Sequence, residues 1–424
     1  MNIALISGNF LNKKGGISTT LENFYDKLTD LGENIHVIDN SAINKENIPI
    51  FHSKEKLASL FIQNISFYIF LIHFFFRILI LENLKFKERL KIAFYYCFYP
   101  KDLVNRIKSL KNLIYYFKKI NVDIILCISS SFPLFYGFIL SKIFKKPLVT
   151  LAHGEDFIRR YPYNINTTIF QNIEKIIVSN MIMKKLFLKV HNVREEKVKI
   201  VYRGVNIEKV NIEDSKAELR KKLNINHDDF IILTVSRIHP RKGINTVIKA
   251  IKAIEKENID IPIKYYIIGK GTELERLKEL VQKLKLENFV IFLGEINDER
   301  RNQYYKLSDL FILIPEIRKD SIEGFGIVFI EANYFKVPVI GTKSGGVKMA
   351  IDNGKTGFLI NSGDYESLKE KIMLLYNNNQ LREQLGENGY NRVLKYYDWK
   401  KNAIIYQNIL KKTIHQFKFK IVIY

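Results

Sequence analysis

Short apolar runs rich in β-branched residues recur along this chain, each ending near Gly, Ser, Asn or His, with stretches of helical periodicity between them. The first half carries NIALIS (2–7), NIHVID (34–39), DIILCIS (123–129), PLVTLAH (147–153), KIIVSN (175–180) and KIVYRGV (199–205). Strands alternating with helices build parallel sheets through βαβ crossovers, so this half reads as a doubly wound α/β domain. After about residue 206 the polar segment VNIEDSKAELRKKLNINHDDF reads as a linker plus a short helix. A second series then follows: FIILTVS (230–236), KYYIIG (264–269), VIFLG (290–294), LFILIP (310–315), VPVIGT (337–342) and GFLIN (357–361). Within it, TELERLKELVQKLKL sets apolar residues at 274, 277, 280, 281 and 284, one face of a helix. No repeat of solenoid length is present.

Two such series suit the length, because 424 residues exceed what one core of ordinary size uses. A hydrophobic fraction of 47% supplies both cores. The formal charge of +23 points to an anionic partner, whether nucleic acid, anionic lipid or a phosphorylated small molecule; a Lys-rich solvated surface accounts for part of it equally well. Cys97 and Cys127 cannot make a disulfide framework, which implies a reducing, cytoplasmic setting. MNIALISGNF has neither a basic leader nor a small-residue cleavage site and reads as the folded start of a domain. The most apolar stretch, Phe67 to Leu81, is interrupted by His73 and Arg77 and is too short to span a bilayer. Around it, residues 54–119 hold 13 Lys or Arg against four acids, a pattern suited to an anionic membrane interface. The competing reading is a buried helix with snorkelling neighbours.

Ligands of open α/β sheets bind beyond the carboxyl ends of the strands, so the loops after these runs are where chemistry is sought. Gly15 and Gly16 open the helix after the first strand, where free amides either receive a phosphate or simply form a helix-initiating turn. Neither they nor Gly269-Lys270-Gly271 complete the dinucleotide fingerprint, which disfavours a dehydrogenase. In SRIHPRKG, Arg237 and Lys242 are placed to hold a diphosphate, or else belong to a solvated basic loop; Arg241 and His239 read as surface. His153, in His153-Gly154-Glu155-Asp156, follows a strand, which directs it toward a cleft, although a lone His there is more often structural. In EGFGIVFIEA, a helix beginning near Phe325 leaves Glu323 in the preceding loop and puts Glu331 on its second turn. The amides of Phe325, Gly326 and Ile327 then face the same way as Glu323. Acids for hydroxyls beside amides for anionic oxygens suit a nucleotide-sugar.

The ordered series SRIHPRKG, GKG, LGEI, EGFGIVFIEA, SGGV and GFLIN resembles the C-terminal domain of the retaining glycosyltransferases of family four, and Gly15-Gly16 and His153-Gly154 match their N-terminal half. The resemblance implies a GT-B fold: two Rossmann-like α/β domains facing across a cleft, with the C-terminal helix crossing back to the N-terminal domain. It divides the chain into an acceptor-side domain (1–206), a nucleotide-sugar domain (207–395) and a closing helix with a basic tail (396–424). It implies that Arg237 and Lys242 bind the donor diphosphate together with Gly16 and Gly15, and that Glu323 and the Gly324-Phe325-Gly326-Ile327 amides hold the donor sugar. Glu331 would hold the ribose, Gly294 and Glu295 would contact the nucleobase, and His153 would stand beside the transferred sugar. Catalysis would fall to His153, Glu323, Arg237 and Lys242. No D-x-D is present, so the resemblance implies no metal and no cofactor, with Lys and Arg in the metal's place.

Two departures stand out. Lys348-Met349 occupies a place where relatives show Pro-Glu, and RKDSI is inserted before Glu323. YYDWKKNAIIYQNILKK resembles the closing helix of the family, with Trp399 as a packing anchor. The expectation is a retaining, metal-independent glycosyltransferase taking a UDP- or GDP-sugar to a lipid-linked or membrane-associated glycan acceptor. It would act in cell-surface polysaccharide or glycolipid biosynthesis, in the cytoplasm and peripheral to the inner face of the membrane. A nucleotide-sugar 2-epimerase shares the architecture. A nucleic-acid-binding protein would account for the charge, but no recognition helix or RNP-type strand supports it, so no nucleic acid is expected.

Overall fold

The structure, a computed structural model, describes residues 1–7, 16–39, 110, 113–128, 132–152, 165–210, 212–257, 261–316 and 323–423. Gly15, Cys97, His153, most of the basic segment 54–119 and the RKDSI insertion lie outside the described residues. The chain forms two compact units: Met1–Val178 with Leu186–Lys199 and Tyr406–Tyr424, and Ser179–Lys185 with Ile200–Ile405.

The first unit is built on strands β1 (Asn2–Ser7), β2 (Asn34–Asp39), β3 (Ile124–Ile128), β4 (Leu148–Leu151), β5 (Lys175–Val178) and β6 (Val198–Ile200), in the order β2-β1-β3-β4-β5-β6. The pairs β1 with β2 and β3, β3 with β4, and β4 with β5 are parallel. Strands β1 and β3 are buried almost throughout, as expected where helices cover both faces. Helix α1 (Gly16–Asp30) starts at the second glycine of the pair.

The second unit carries β7 (Phe230–Val235), β8 (Ile263–Ile268), β9 (Val290–Gly294), β10 (Leu310–Ile312), β11 (Val339–Thr342) and β12 (Gly357–Ile360) in the order β12-β11-β10-β7-β8-β9, parallel throughout. Ahead of it, α2 (Lys216–Lys222) is the short helix expected of the linker, started by a capping box between Ser215 and Glu218. Helix α3 (Ile244–Lys256) buries Ile244, Val247, Ile248, Ile251 and Ile254, the three- and four-residue spacing of one helical face. Each such side chain contributes about 1.5–3 kcal/mol on burial. Helix α4 (Leu274–Lys283) follows the sequence pattern: Leu277 and Val281 are buried, and Leu274, Leu280 and Leu284 pack against the same core. Helices α5 (Asp298–Leu307), α6 (Ile327–Tyr334) and α7 (Asn379–Tyr396) belong to this unit too, beside further helices at Val347–Ala350 and Tyr365–Asn377.

The last helix, α8 (Trp399–Ile423), begins in the second unit and from Tyr406 onward belongs to the first. There the Tyr406 ring meets Phe24 edge-on at 5.1 Å, and Lys411 pairs with Glu33 at 3.2 Å. Trp399 is buried, as a packing anchor should be. Among the described residues no helix is long and apolar enough to cross a membrane.

Candidate active site

Strand order reverses between β7 and β10, so the loops leaving these two strands diverge to opposite sides and open a crevice at their carboxyl ends. The first loop carries Arg237 and Lys242; the second leads to Glu323. The topology therefore gathers residues 81 positions apart in sequence.

Close backbone contacts hold the first loop. The Ile238 N–H donates to Lys270 O at 2.9 Å. A Cβ at Gly269 would stand 1.9 Å from Ser236 O, and one at Gly271 would stand 2.0 Å from Ile238 O. The GKG triplet that fails as a dinucleotide fingerprint thus has a packing reason: only glycine lets these two loops touch. A 3-10 turn at Pro240–Lys242 follows, capped by the His239 ring, which accepts from the Arg241 N–H at 3.3 Å. Gly243 ends it in the left-handed region (φ 65°), where a Cβ would lie 2.1 Å from Ile314 O.

This turn aims two cations at one carboxylate. Lys242 Nζ lies 2.7 Å from Glu323 Oε2 and Arg241 Nη1 lies 3.4 Å from the same oxygen. The side chains are 12%, 11% and 16% exposed for Lys242, Arg241 and Glu323. Burial pushes the Glu323 carboxyl up, but Lys242, Arg241 and, more weakly, Arg203 outweigh it and hold it below the usual carboxylate range. One expectation is corrected here. Arg241 is a largely enclosed partner of Glu323, not a surface residue, and the two cations compensate the charge of the largely enclosed Glu323. Arg237 is exposed and has no protein partner among the described residues.

Glu323 is also fixed through its backbone. Gly346 N donates to Glu323 O at 2.8 Å, and a Cβ at Gly346 would lie 1.9 Å from Gly324 O. The buried Asn180, in the same compact unit, donates to Gly324 O at 2.8 Å. Helix α6 begins at Ile327, two residues later than the sequence suggests, because Gly326 takes a left-handed conformation (φ 81°) and turns the chain before the helix. Phe325 is buried, and no acceptor among the described residues takes the Phe325 or Gly326 N–H. Lys348, one of the two departures from the resemblance, is exposed.

Glu331 sits at the start of the second turn of α6. Its Oε2 accepts from the Tyr305 hydroxyl at 2.8 Å. Burial, reinforced by the Glu331 charge, pushes the Tyr305 phenol well above its ordinary range, so it remains a donor. Arg301 adds a positive charge facing Glu331. At the end of β9, Gly294 (φ 68°) accepts from Gly269 N at 2.7 Å, and Glu295 pairs with Lys270. Gly16 belongs to the first unit. The structure thus joins Lys242 with Glu323, links the Gly294 and Glu295 loop to the GKG loop, and adds Arg241, Tyr305, Asn180 and Gly346. Sequence offers a signal for one of these additions: the SGGV motif containing Gly346. Among the described residues, no group of three or more His, Cys, Asp or Glu side chains gathers into a metal-binding cluster.

The sequence matches the family described as Glycosyltransferase Family 4 over residues 14–209 and the family described as Glycosyl transferases group 1 over residues 215–392. An uncharacterized glycosyltransferase of Methanocaldococcus jannaschii is 30% identical over 274 residues, covering 62% of this chain and 68% of that one. The capsular polysaccharide biosynthesis glycosyltransferase CapM of Staphylococcus aureus is 31% identical over 215 residues, covering 50% of this chain and 54% of that one. The solved structure of Anabaena HepE in complex with UDP-glucose is similar with a TM-score of 0.69 at 19% identity, over 97% of this chain and 100% of that one. That last likeness is one of fold.

Proposed function

The chain belongs to the family-four, group 1 glycosyltransferases of GT-B type, and on that premise we propose that it moves a sugar from a UDP- or GDP-sugar to a hydroxyl of a lipid-linked or membrane-associated glycan, with retention and without a metal. The observation that carries this is the contact across the crevice after β7 and β10 that puts Arg241 and Lys242 on Glu323, with Arg237 exposed in the same loop as the two cations.

In this reading Arg237 and Lys242 bind the diphosphate, Glu323 with the Phe325 and Gly326 amides binds sugar hydroxyls, and Glu331 binds the ribose. Gly15 and Gly16 would add amides to the diphosphate, His153 would stand beside the sugar, and Gly294 and Glu295 would meet the base. As the bond from C1 to the phosphate oxygen breaks, negative charge grows on the departing diphosphate. Arg237 and Lys242 then stabilise the transition state more than the bound donor. The acceptor oxygen bonds to C1 on the face the diphosphate leaves, and the acceptor proton passes to a diphosphate oxygen. Atoms and charge balance with no resident cofactor. The CapM likeness supports a role in polysaccharide synthesis; we assign that work to the cytoplasmic face of the membrane.

A calorimetric panel of UDP- and GDP-sugars tests the donor assignment. We expect one nucleotide class to bind, with affinity falling by about 10²-fold or more in an Arg237→Ala, Lys242→Ala double variant. Unchanged diphosphate binding by that variant would refute the assignment. Release of free nucleoside diphosphate only when acceptor is present separates transfer from epimerisation.

A further inference from the structure

The first unit contains a cavity of about 870 Å³ that the proposed chemistry does not use. It lies where the Ile165–Asn172 helix, the start of β5, the β6 edge and the tail of α8 meet. Its volume is that of a site for a sizeable small molecule. Lys175, on its wall, is the first residue of β5, so the cavity opens at the amino end of that strand. Substrates of parallel α/β sheets bind at the opposite, carboxyl ends.

Five cations line it, Lys175, Arg194, Lys197, Lys199 and Lys412, against the acids Glu174 and Glu196. Three of the five are occupied. Arg194 pairs with Glu196 at 3.0 Å, Lys197 donates to Gln171 O at 2.6 Å, and Lys175 reaches Glu196 O at 3.4 Å. Lys199 and Lys412 are exposed and have no protein partner among the described residues. Apolar side chains share the wall: Ile409, half-buried Phe417, and Phe419 at 58% exposure, its ring 4.7 Å from that of His415. From Lys400 to Tyr424 the chain holds six Lys and no acid.

We propose that this cavity is a docking site for an anionic membrane lipid, with Lys199 and Lys412 taking the headgroup phosphate and Phe419 entering the acyl boundary. Free cations beside an exposed aromatic fit an amphiphile; a soluble phosphate has no use for the apolar wall. The inference rests on the proposed work at a membrane and names a surface that reaches it.

The full-length protein is sedimented with phosphatidylcholine vesicles, with and without phosphatidylglycerol, beside Lys199→Glu/Lys412→Glu and Phe419→Ser variants. The wild type should bind only the anionic vesicles. The charge-reversal pair should weaken binding by about 25-fold or more, at roughly a fivefold loss or greater per cation. The Phe419 variant should weaken it without changing its dependence on phosphatidylglycerol. Inorganic phosphate at matched ionic strength should not displace the protein. Both lysines are exposed, so an unaltered thermal melt and unaltered nucleotide-sugar calorimetry are expected; the latter separates failure of this site from failure of the donor assignment. Wild-type vesicle binding by the charge-reversal pair overturns the proposal, as does full displacement by phosphate.

Discussion

Lys242 and Arg241 are neighbours in sequence, and within a 3-10 turn both reach the same oxygen of Glu323. Removing Glu323 would leave two poorly solvated cations facing each other, so Glu323→Ala should cut transfer sharply and also cost about 3 kcal/mol or more of stability. Chemical unfolding beside a transfer assay separates these effects. Because the folded Glu323 pKa lies below its ordinary 4.5, the stability from this cluster is fully present above that pH and is lost as pH falls through the lower, folded value. The melting temperatures of the wild type and Glu323→Gln should therefore converge below pH 4.5. Tyr305→Phe removes the donor at 2.8 Å from Glu331. We expect about 1 kcal/mol of destabilisation and a several-fold rise in donor KM with kcat little changed. The placement of Lys242, Glu323 and Glu331 was legible because the first follows a strand-like run and the two glutamates stand before and within a helical stretch. Arg241 was not, because sequence cannot say that a turn directs both of two adjacent cations inward, and Tyr305 was hidden among the residues of an ordinary helix.

At the scale of elements, the 236–243 loop is held where it is by absent side chains. Gly243 combines φ 65° with a carbonyl 2.1 Å from where a Cβ would stand. Gly243→Ala should destabilise by about 2 kcal/mol or more, from strain plus displacement of Ile314, and should weaken donor binding through Lys242. Thermal melts with calorimetry check both, and restoring one without the other would break the link. Trp399, whose N–H donates to Val205 O at 3.2 Å, fastens the start of α8. Trp399→Ala should cost about 3–5 kcal/mol in chemical unfolding. The strands were readable because fully buried parallel strands are continuous apolar runs, and α4 because its apolar spacing is regular. The start of α6 was misplaced because nothing local distinguishes a left-handed glycine at 326 from the first residue of a helix.

For the whole molecule, a formal charge of +23 invites the view that the donor is drawn in by bulk positive charge. The crevice itself is built otherwise. Glu323 neutralises part of the charge of the Arg241 and Lys242 pair before any ligand arrives, while Lys199 and Lys412, without protein partners among the described residues, stand in the first unit on the cavity at the amino end of β5. Ionic strength should accordingly weaken anionic-vesicle binding much more steeply than donor binding, measured as slopes of log affinity against log salt. An internal carboxylate of this kind also acts as a resident competitor. A simple anion such as chloride or sulfate must displace it to reach Lys242, whereas a ligand offering both an anion for the lysine and hydroxyls for the released glutamate replaces both halves of the contact. On the proposed donor assignment, discrimination against the abundant small anions of the cell follows from the resting site.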